Sequence, residues 1–521
     1  MKLTSRLFAP MAAAALALTG CFQVDVNGKF MVYMIDQDEV GVTELYKVDY
    51  KTGEVQKLND PLIEDGDVFA YVLGPKGKHV AYAATQDDTA ILDLYCTDLK
   101  TGEVVKLTPP LAADEEVILD FAFDAKDKFV VFRTQTGVGP TEELWMADAT
   151  TGDPVMLNDE LVSGGNVTGF GIDPKGKYVV YSADQDLDEV FELYLVDLKT
   201  LEVSRLNPDL AIGGDVTSFA IDPKGRFVVY SADQDFDDTI ELFAVDTKTG
   251  EDSRLDATLD QPVHTTAFVI DPKGKYVAFR GSSVFIVDIA GPIELFAAKL
   301  KDGSATKLTP DLDPGHAVGS FGFDRKGKFV AYLADQDTLD QTELYMTELK
   351  TGDNTRLNEP LENFAEVDSF EIDPKSKFVA YAADQDTDEL FEVFATEIKT
   401  ADVDKVNGSL VADGELGTYH FLPNGKSIVY SADQETDGVV ELYATELASG
   451  DNIRLSGDMT DGGSLVGNLS PSFLVDPKGK RVVYSADQDT NDILEFYEVI
   501  LKDGEVNKLN ADYVPGGGSL N

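Results

Sequence analysis

The chain has 521 residues, with 43 Lys and Arg set against 95 Asp and Glu, a formal charge of −52. A surface this acidic excludes nucleic-acid recognition, because phosphate backbones demand a basic footprint, and its self-repulsion needs screening by salt or divalent cations. The length is ample for a large buried core, and with Cys21 and Cys96 as the two cysteines no intramolecular disulfide forms once the first is modified.

The N-terminus reads as an export signal. Lys2 and Arg6 precede an apolar run from Leu7 to Leu18 that is too short to span a bilayer. The run ends in Leu18-Thr19-Gly20-Cys21, which resembles a bacterial lipobox: small residues fit the signal peptidase, and the Cys21 thiol takes a diacylglyceryl group. Residues 1–20 are therefore expected to be a removed signal peptide, with Cys21 as the lipid attachment site. Loss of Lys2 and Arg6 takes the charge from −52 to −54. Phe22, standing where an Asp would favour inner-membrane retention, implies by resemblance to proteobacterial lipoproteins an outer-membrane lipoprotein facing the periplasm or the cell surface. No later stretch approaches 18 apolar residues, so the membrane is expected to be a partner through the lipid and not through a spanning helix.

From residue 21 to 509 the chain repeats. An Asp-Pro-Lys-Gly-like turn begins at Asp25, Gly74, Asp124, Asp173, Asp222, Asp271, Asp324, Asp373, Leu422 and Asp476, at spacings of 49, 50, 49, 49, 49, 53, 49, 49 and 54. Self-similarity at this period marks a propeller or a solenoid. One unit shows the anatomy. Ser218 to Ile221 alternates into Asp222-Pro223-Lys224-Gly225, where Pro fixes φ and Gly accepts a positive φ. Phe227-Val228-Val229-Tyr230 is the continuous apolar run of a strand buried on both faces. A polar hairpin leads to Glu241 to Asp246, and Lys248-Thr249-Gly250-Glu251 turns into a short strand near Ser253-Arg254-Leu255. Four short strands joined by tight turns make one blade. The predicted fold is an all-β propeller of ten four-stranded blades over residues 21–509, followed by a Gly-rich tail at 510–521. Ten blades form one large ring or two five-bladed rings meeting near Leu259.

These repeats resemble the TolB-type, WD-repeat-like propeller family, whose units carry a Pro-Asp-Gly-Lys-like turn, an Ile-Ala-Phe-like strand, an Asp-rich hairpin and Glu-Ile-Tyr. The corresponding text here is Asp-Pro-Lys-Gly-Lys, Phe-Val-Val-Tyr, Ser-Ala-Asp-Gln-Asp and Glu-Leu-Tyr. The resemblance implies the fold and says little about function, because propellers host unrelated activities.

The second hairpin is the most informative loop. It carries Asp184, Asp186 and Asp188 before Glu192; Asp233, Asp235 and Asp237 before Glu241; Asp384, Asp386 and Asp388 before Glu392; and Asp433, Glu435 and Asp437 before Glu441. Oxygens at positions one, three and five of a tight turn suit Ca²⁺, although the Glu falls at position nine and not twelve, so the loop is no EF-hand. The competing reading is an acidic turn whose carboxylates accept backbone N–H groups. In a propeller these hairpins share a face with the blade-to-blade loops, while the lysine-bearing turns, Lys175, Lys224 and Lys273 among them, emerge on the other. That polarity would steer partners.

Blades three and six break the pattern with Arg133, the lone Trp145 and Arg280, where the Asp pair is missing. Arg and Trp favour interaction hot spots, making this neutral gap a candidate partner-docking site. Catalysis finds little support: His79, His264, His316 and His420 are scattered without metal-ligand spacing, and no Gly-x-Ser-x-Gly elbow occurs. The expected function is a non-enzymatic, lipid-anchored envelope propeller that binds or scaffolds a protein or envelope partner. The alternatives are a calcium-dependent adhesin or glycan binder and a polysaccharide lyase or hydrolase.

Overall fold

The structure is a computed structural model that describes residues 22–518 apart from 113–114, 137–140, 236–238, 260–262, 283–284, 287–288, 363–364, 413 and 467–471. The described residues form ten antiparallel four-stranded sheets and no helix. Blade five comprises Val216–Ile221, Phe227–Ala232, Glu241–Asp246 and Glu251–Arg254, in that order from one edge of the sheet to the other.

Local chemistry sets each strand. In the turn after the first strand, Gly225 takes φ +59°, and Asp222 Oδ1 accepts the N–H groups of Arg226 (2.5 Å) and Phe227 (2.7 Å). The second strand is sealed on both faces, with Val228, Val229 and Tyr230 fully buried. Tyr230 stacks on Phe243 of the third strand at 5.3 Å between centroids, and Tyr181–Tyr194 and Tyr430–Tyr443 repeat the contact in other blades.

The core consists of clusters shared between neighbouring blades. Val229 and Leu242 of blade five pack with Val277 and Phe279 of blade six. The chain of contacts is thus unbroken near Leu259, which rules out two five-bladed rings. Phe22 and Met31 of blade one pack with Val483 and Phe496 of blade ten, and Lys478 Nζ donates to the Asn27 carbonyl at 2.6 Å. One ring of ten blades therefore closes on itself, because the apolar face left by blade ten has blade one as its partner.

The Gly-rich segment after blade ten takes part in the closure. Asn510 Oδ1 accepts the Phe496 N–H (2.8 Å), Tyr513 OH donates to the Leu494 carbonyl (2.6 Å), and Gly518 N donates to Asp36 Oδ1 of blade one (2.8 Å). As far as residue 518 it runs as a tenth blade-to-blade loop: Asn207 Oδ1 accepts the Leu193 N–H (2.7 Å) in the same way after blade four.

Blades three and six depart from the common form. Blade three lengthens its middle strands to Phe129–Thr136 and Thr141–Asp148, and blade six inserts a small hairpin pairing Phe285–Ile286 with Ile289–Ala290.

Candidate functional site

The second hairpins and the blade-to-blade loops meet on one face of the ring, and each residue of the Asp-Gln-Asp motif has a distinct partner there. The first carboxylate is buried and joins two loops. Asp384 Oδ1 accepts the Glu366 N–H of the preceding blade-to-blade loop (2.6 Å), while Oδ2 accepts the Glu389 N–H of its own hairpin (3.2 Å). Asp184 does the same for Asn166 and Glu189, Asp433 for Glu415 and Gly438, and Asp233 accepts the Asp215 N–H (2.5 Å). The glutamine between them accepts the buried Tyr hydroxyl of the second strand, as in Gln185–Tyr181 at 2.7 Å and Gln234–Tyr230 at 2.8 Å.

The third carboxylate is exposed and faces a cation of the fourth strand. Asp235 lies 3.1 Å from Arg254, Asp386 3.5 Å from Lys405 and Glu435 3.7 Å from Arg454. Asp186 instead lies near the Tyr194 hydroxyl, which donates to Glu192 Oε2 at 3.1 Å. At the fifth position, Asp188 lies against Gly164 of the adjoining loop, and Asp388 and Asp437 are exposed. Asp237 and Cys21 lie outside the described residues.

The same strand-four cation holds the Glu of the Glu-Leu-Tyr segment, a pairing that the sequence reading missed. Arg205–Glu192 (2.6 Å), Arg356–Glu343 (3.1 Å), Lys405–Glu392 (2.5 Å) and Arg454–Glu441 (2.8 Å) are examples. The basic residue falls thirteen positions after the acid in each, a spacing that reveals the pair once the repeats are aligned. These glutamates are buried, and Arg or Lys supplies the charge that makes their burial tolerable. At Glu241 burial dominates and Asp235 and Asp256 add to it, so its carboxyl is pushed up to about 7 despite Arg254 at 2.7 Å.

Among the described residues no three His, Cys, Asp or Glu side chains converge as a metal-ligand set. A cation entering the hairpins would compete with Arg254, Lys405 or Arg454 for the third carboxylate. What the face does offer is a cleft of about 380 Å³ at blades seven and eight, lined by Asp384, Asp386, Asp388, Glu359 and Glu362. Apolar loop tips stand out of this acidic surround: Ile212 is 98% exposed and Leu187 60%, with Val40, Ile63 and Leu339 also exposed.

Arg133 and Arg280 occupy equivalent repeat positions, and both reach the start of the next blade's first strand. Arg133 Nη1 donates to the Val167 carbonyl (2.8 Å) and Arg280 Nη1 to that of Val318 (2.9 Å). Arg133 is further held by Asp120 (3.0 Å) and Glu142 (2.5 Å). Trp145 fills the third-strand aromatic position opposite Phe132 and donates Nε1–H to Thr134 Oγ1 at 3.0 Å. All three residues are engaged within the ring. Cys96 is buried, and burial pushes its thiol up, away from the reactive thiolate.

By sequence, the chain matches no protein-family model and no curated protein. Similar solved structures include a dipeptidyl peptidase 4 from Porphyromonas gingivalis, at 11% identity and TM-score 0.48 over 81% of this chain and 65% of that one. An oligogalacturonate lyase in complex with manganese is 13% identical, with TM-score 0.36 over 69% of this chain and 96% of that one. A protein assigned as TolB from Agrobacterium tumefaciens is 16% identical, with TM-score 0.29 over 55% of this chain and 90% of that one. These neighbours mix enzymes with a TolB and carry no argument about activity here.

Proposed function

We propose that the chain is a non-enzymatic, lipid-anchored propeller of the cell envelope that binds a protein or envelope partner through its acidic loop face. The observation that carries this reading is the combination of loops fixed by buried carboxylates with apolar tips at their ends. Asp184, Asp384 and Asp433 each tie a hairpin to the adjoining loop, so little conformational entropy remains to be lost on binding. Ile212, on the loop from blade four to blade five, and Leu187, on the second hairpin of blade four, supply exposed apolar tips within a charged rim, the elements of a binding patch. The charge of this rim favours a partner with a basic surface. Phe22 pairs with Tyr33, near the loop-face end of the second strand, so a lipid on Cys21 tethers the ring by this face.

The test places a photo-crosslinking amino acid at Ile212 or Leu187 in the full chain in its own cells, with Lys199 and Lys350 on the opposite face as controls. Discrete high-mass adducts from the loop-face positions alone are expected. No adducts from Ile212 and Leu187, or equal yields from both faces, overturn the reading.

A further inference from the structure

The face opposite the acidic loops carries the Lys-Gly turns, and their lysines link blade to blade. Lys126 Nζ donates to the Lys175 carbonyl (2.8 Å), and Lys175 and Lys326 donate to the equivalent carbonyls of Lys224 and Lys375. Between blades five and six the link shifts by one residue, with Lys224 Nζ reaching the Gly274 carbonyl at 3.4 Å, and beside it lies a cleft of about 350 Å³ whose lining includes Lys275, Lys299, Lys301, Asp302, Phe227 and Tyr276. The volume lies within the range of small-ligand sites.

The charge of the cleft arises from a reversal peculiar to blade six. Eight of the ten third strands end on Asp or Glu, Asp246 and Glu348 among them, and in blade six that residue is Lys299. Elsewhere the carboxylate caps the following turn: Asp197 Oδ1 accepts the N–H groups of Lys199 (2.8 Å) and Thr200 (3.0 Å). Lys299 gives up that cap and puts an ammonium where a carboxylate is the rule. Among the described residues Lys275, Lys299 and Lys301 are exposed and form no ion pair within 4 Å; the carboxylate of Asp302, which shares the cleft and feels Lys299 and Lys301, accepts the Ser304 N–H (3.1 Å) and hydroxyl (2.6 Å). Arg226 also lines the cleft, but its guanidinium is committed to Asp246, with Nε at 3.0 Å and Nη2 at 2.8 Å, and lies over the Phe227 ring at 5.0 Å. Asp222 is buried and consumed by the N–H groups of its own turn.

We infer that this cleft binds a phosphomonoester. In a chain of charge −52 an anion is repelled everywhere except where cations cluster within a Debye length, about 8 Å at physiological salt. The free cations here are lysines, point charges that suit a dianionic phosphate, while the one planar fork that would select a carboxylate is occupied. The half-buried rings of Phe227 and Tyr276 give an apolar wall for the carbon skeleton that bears the phosphate. The site is independent of the acidic loop face and of whatever binds there.

Calorimetric titration of the purified full chain tests the inference at constant ionic strength, with glucose 6-phosphate, glucuronate and, separately, vesicles containing phosphatidic acid. Saturable binding to glucose 6-phosphate or to the vesicles is expected, and the arm that binds identifies a soluble or a lipid-borne source. Lys299→Asp, which restores the residue type of the other blades and so should fold, is expected to weaken binding at least tenfold; Lys301→Gln should weaken it severalfold, and Lys350→Gln not at all. Glucuronate binding as tight as glucose 6-phosphate overturns the assignment, as does the absence of saturation in both phosphate arms, or affinity unchanged in Lys299→Asp with wild-type melting.

Discussion

The carboxylate of Asp127 in blade three accepts the backbone N–H groups of Lys76 (2.8 Å) and Lys78 (3.0 Å) in blade two, whose own turn has Gly74 where eight of the ten blades have Asp. In the regular pattern the turn aspartate of one blade lies beneath the turn glycine of the next, as Asp124 does beneath Gly176. Between blades two and three the two residue types have changed places. Asp127 even adopts the φ of +56° that the glycines hold. The carboxylate thus reaches the same space from the opposite blade.

This exchange predicts a double-mutant cycle. Asp127→Gly leaves two turn N–H groups without their charged acceptor, at a cost of about 1–3 kcal/mol that relief of the positive φ partly offsets. Gly74→Asp alone puts a second carboxylate against the first, since a Cβ at Gly74 would lie 2.5 Å from Asp127 Oδ2. Gly74→Asp with Asp127→Gly restores the common arrangement and should recover most of the lost stability, a coupling of over 1 kcal/mol in urea midpoints. Simple additivity would refute it.

Blade three also lacks the strand-four cation. Met156 falls thirteen residues after Glu143, where the other nine blades have Lys or Arg, and burial together with Glu115 raises the Glu143 carboxyl. Met156→Lys should therefore stabilise the protein by about 0.5–1 kcal/mol once Glu143 is ionised, in line with half-exposed pairs. The gain should vanish when Glu143→Gln is added.

Glu241 supplies a pH dependence whose sign is fixed by its raised carboxyl. Folded, it titrates near 7; unfolded, near the model-peptide value of 4.5. Between these values the folded state holds the proton more tightly, so stability falls as pH rises from 4.5 towards 7. In Glu241→Gln that loss should be absent, and the stability difference between variant and wild type should drift in favour of the variant across this window. A pH-independent difference would place Glu241 outside the titration.

Salt separates acidic turns from metal loops. With first carboxylates engaged by backbone N–H groups and third ones by Arg254, Lys405 and Arg454, the expected result is that CaCl₂ and NaCl at equal ionic strength raise the melting temperature alike. A larger rise with CaCl₂ that Asp388→Asn abolishes would assign a metal to the hairpin.

Lipid attachment has a direct test. Cys21→Ser should shift the protein from the membrane to the soluble envelope fraction on centrifugation. Continued sedimentation with membranes would show that another element holds it there.

The repeat, the strands and the turns were legible in the sequence because their causes are local: Pro223 fixes φ, Gly225 accepts φ +59°, and the run from Phe227 to Tyr230 has apolar residues for both sheet faces. The acidity of the second hairpins was equally plain, and its meaning was not. Asp384 satisfies Glu366 N–H eighteen residues away, and Asp127 serves a turn some fifty residues earlier, so the partner of each carboxylate depends on how blades sit beside one another. Ring size is of the same kind. It follows from the angle at which one apolar blade face meets the next, and contacts across nearly the whole chain, such as that of Phe22 with Phe496, decide that ten blades close as one. Lys299 is the sharpest case: a single reversed charge in the sequence, it becomes part of a basic cleft only when the third strand of blade six is brought against the turns of blades five and six.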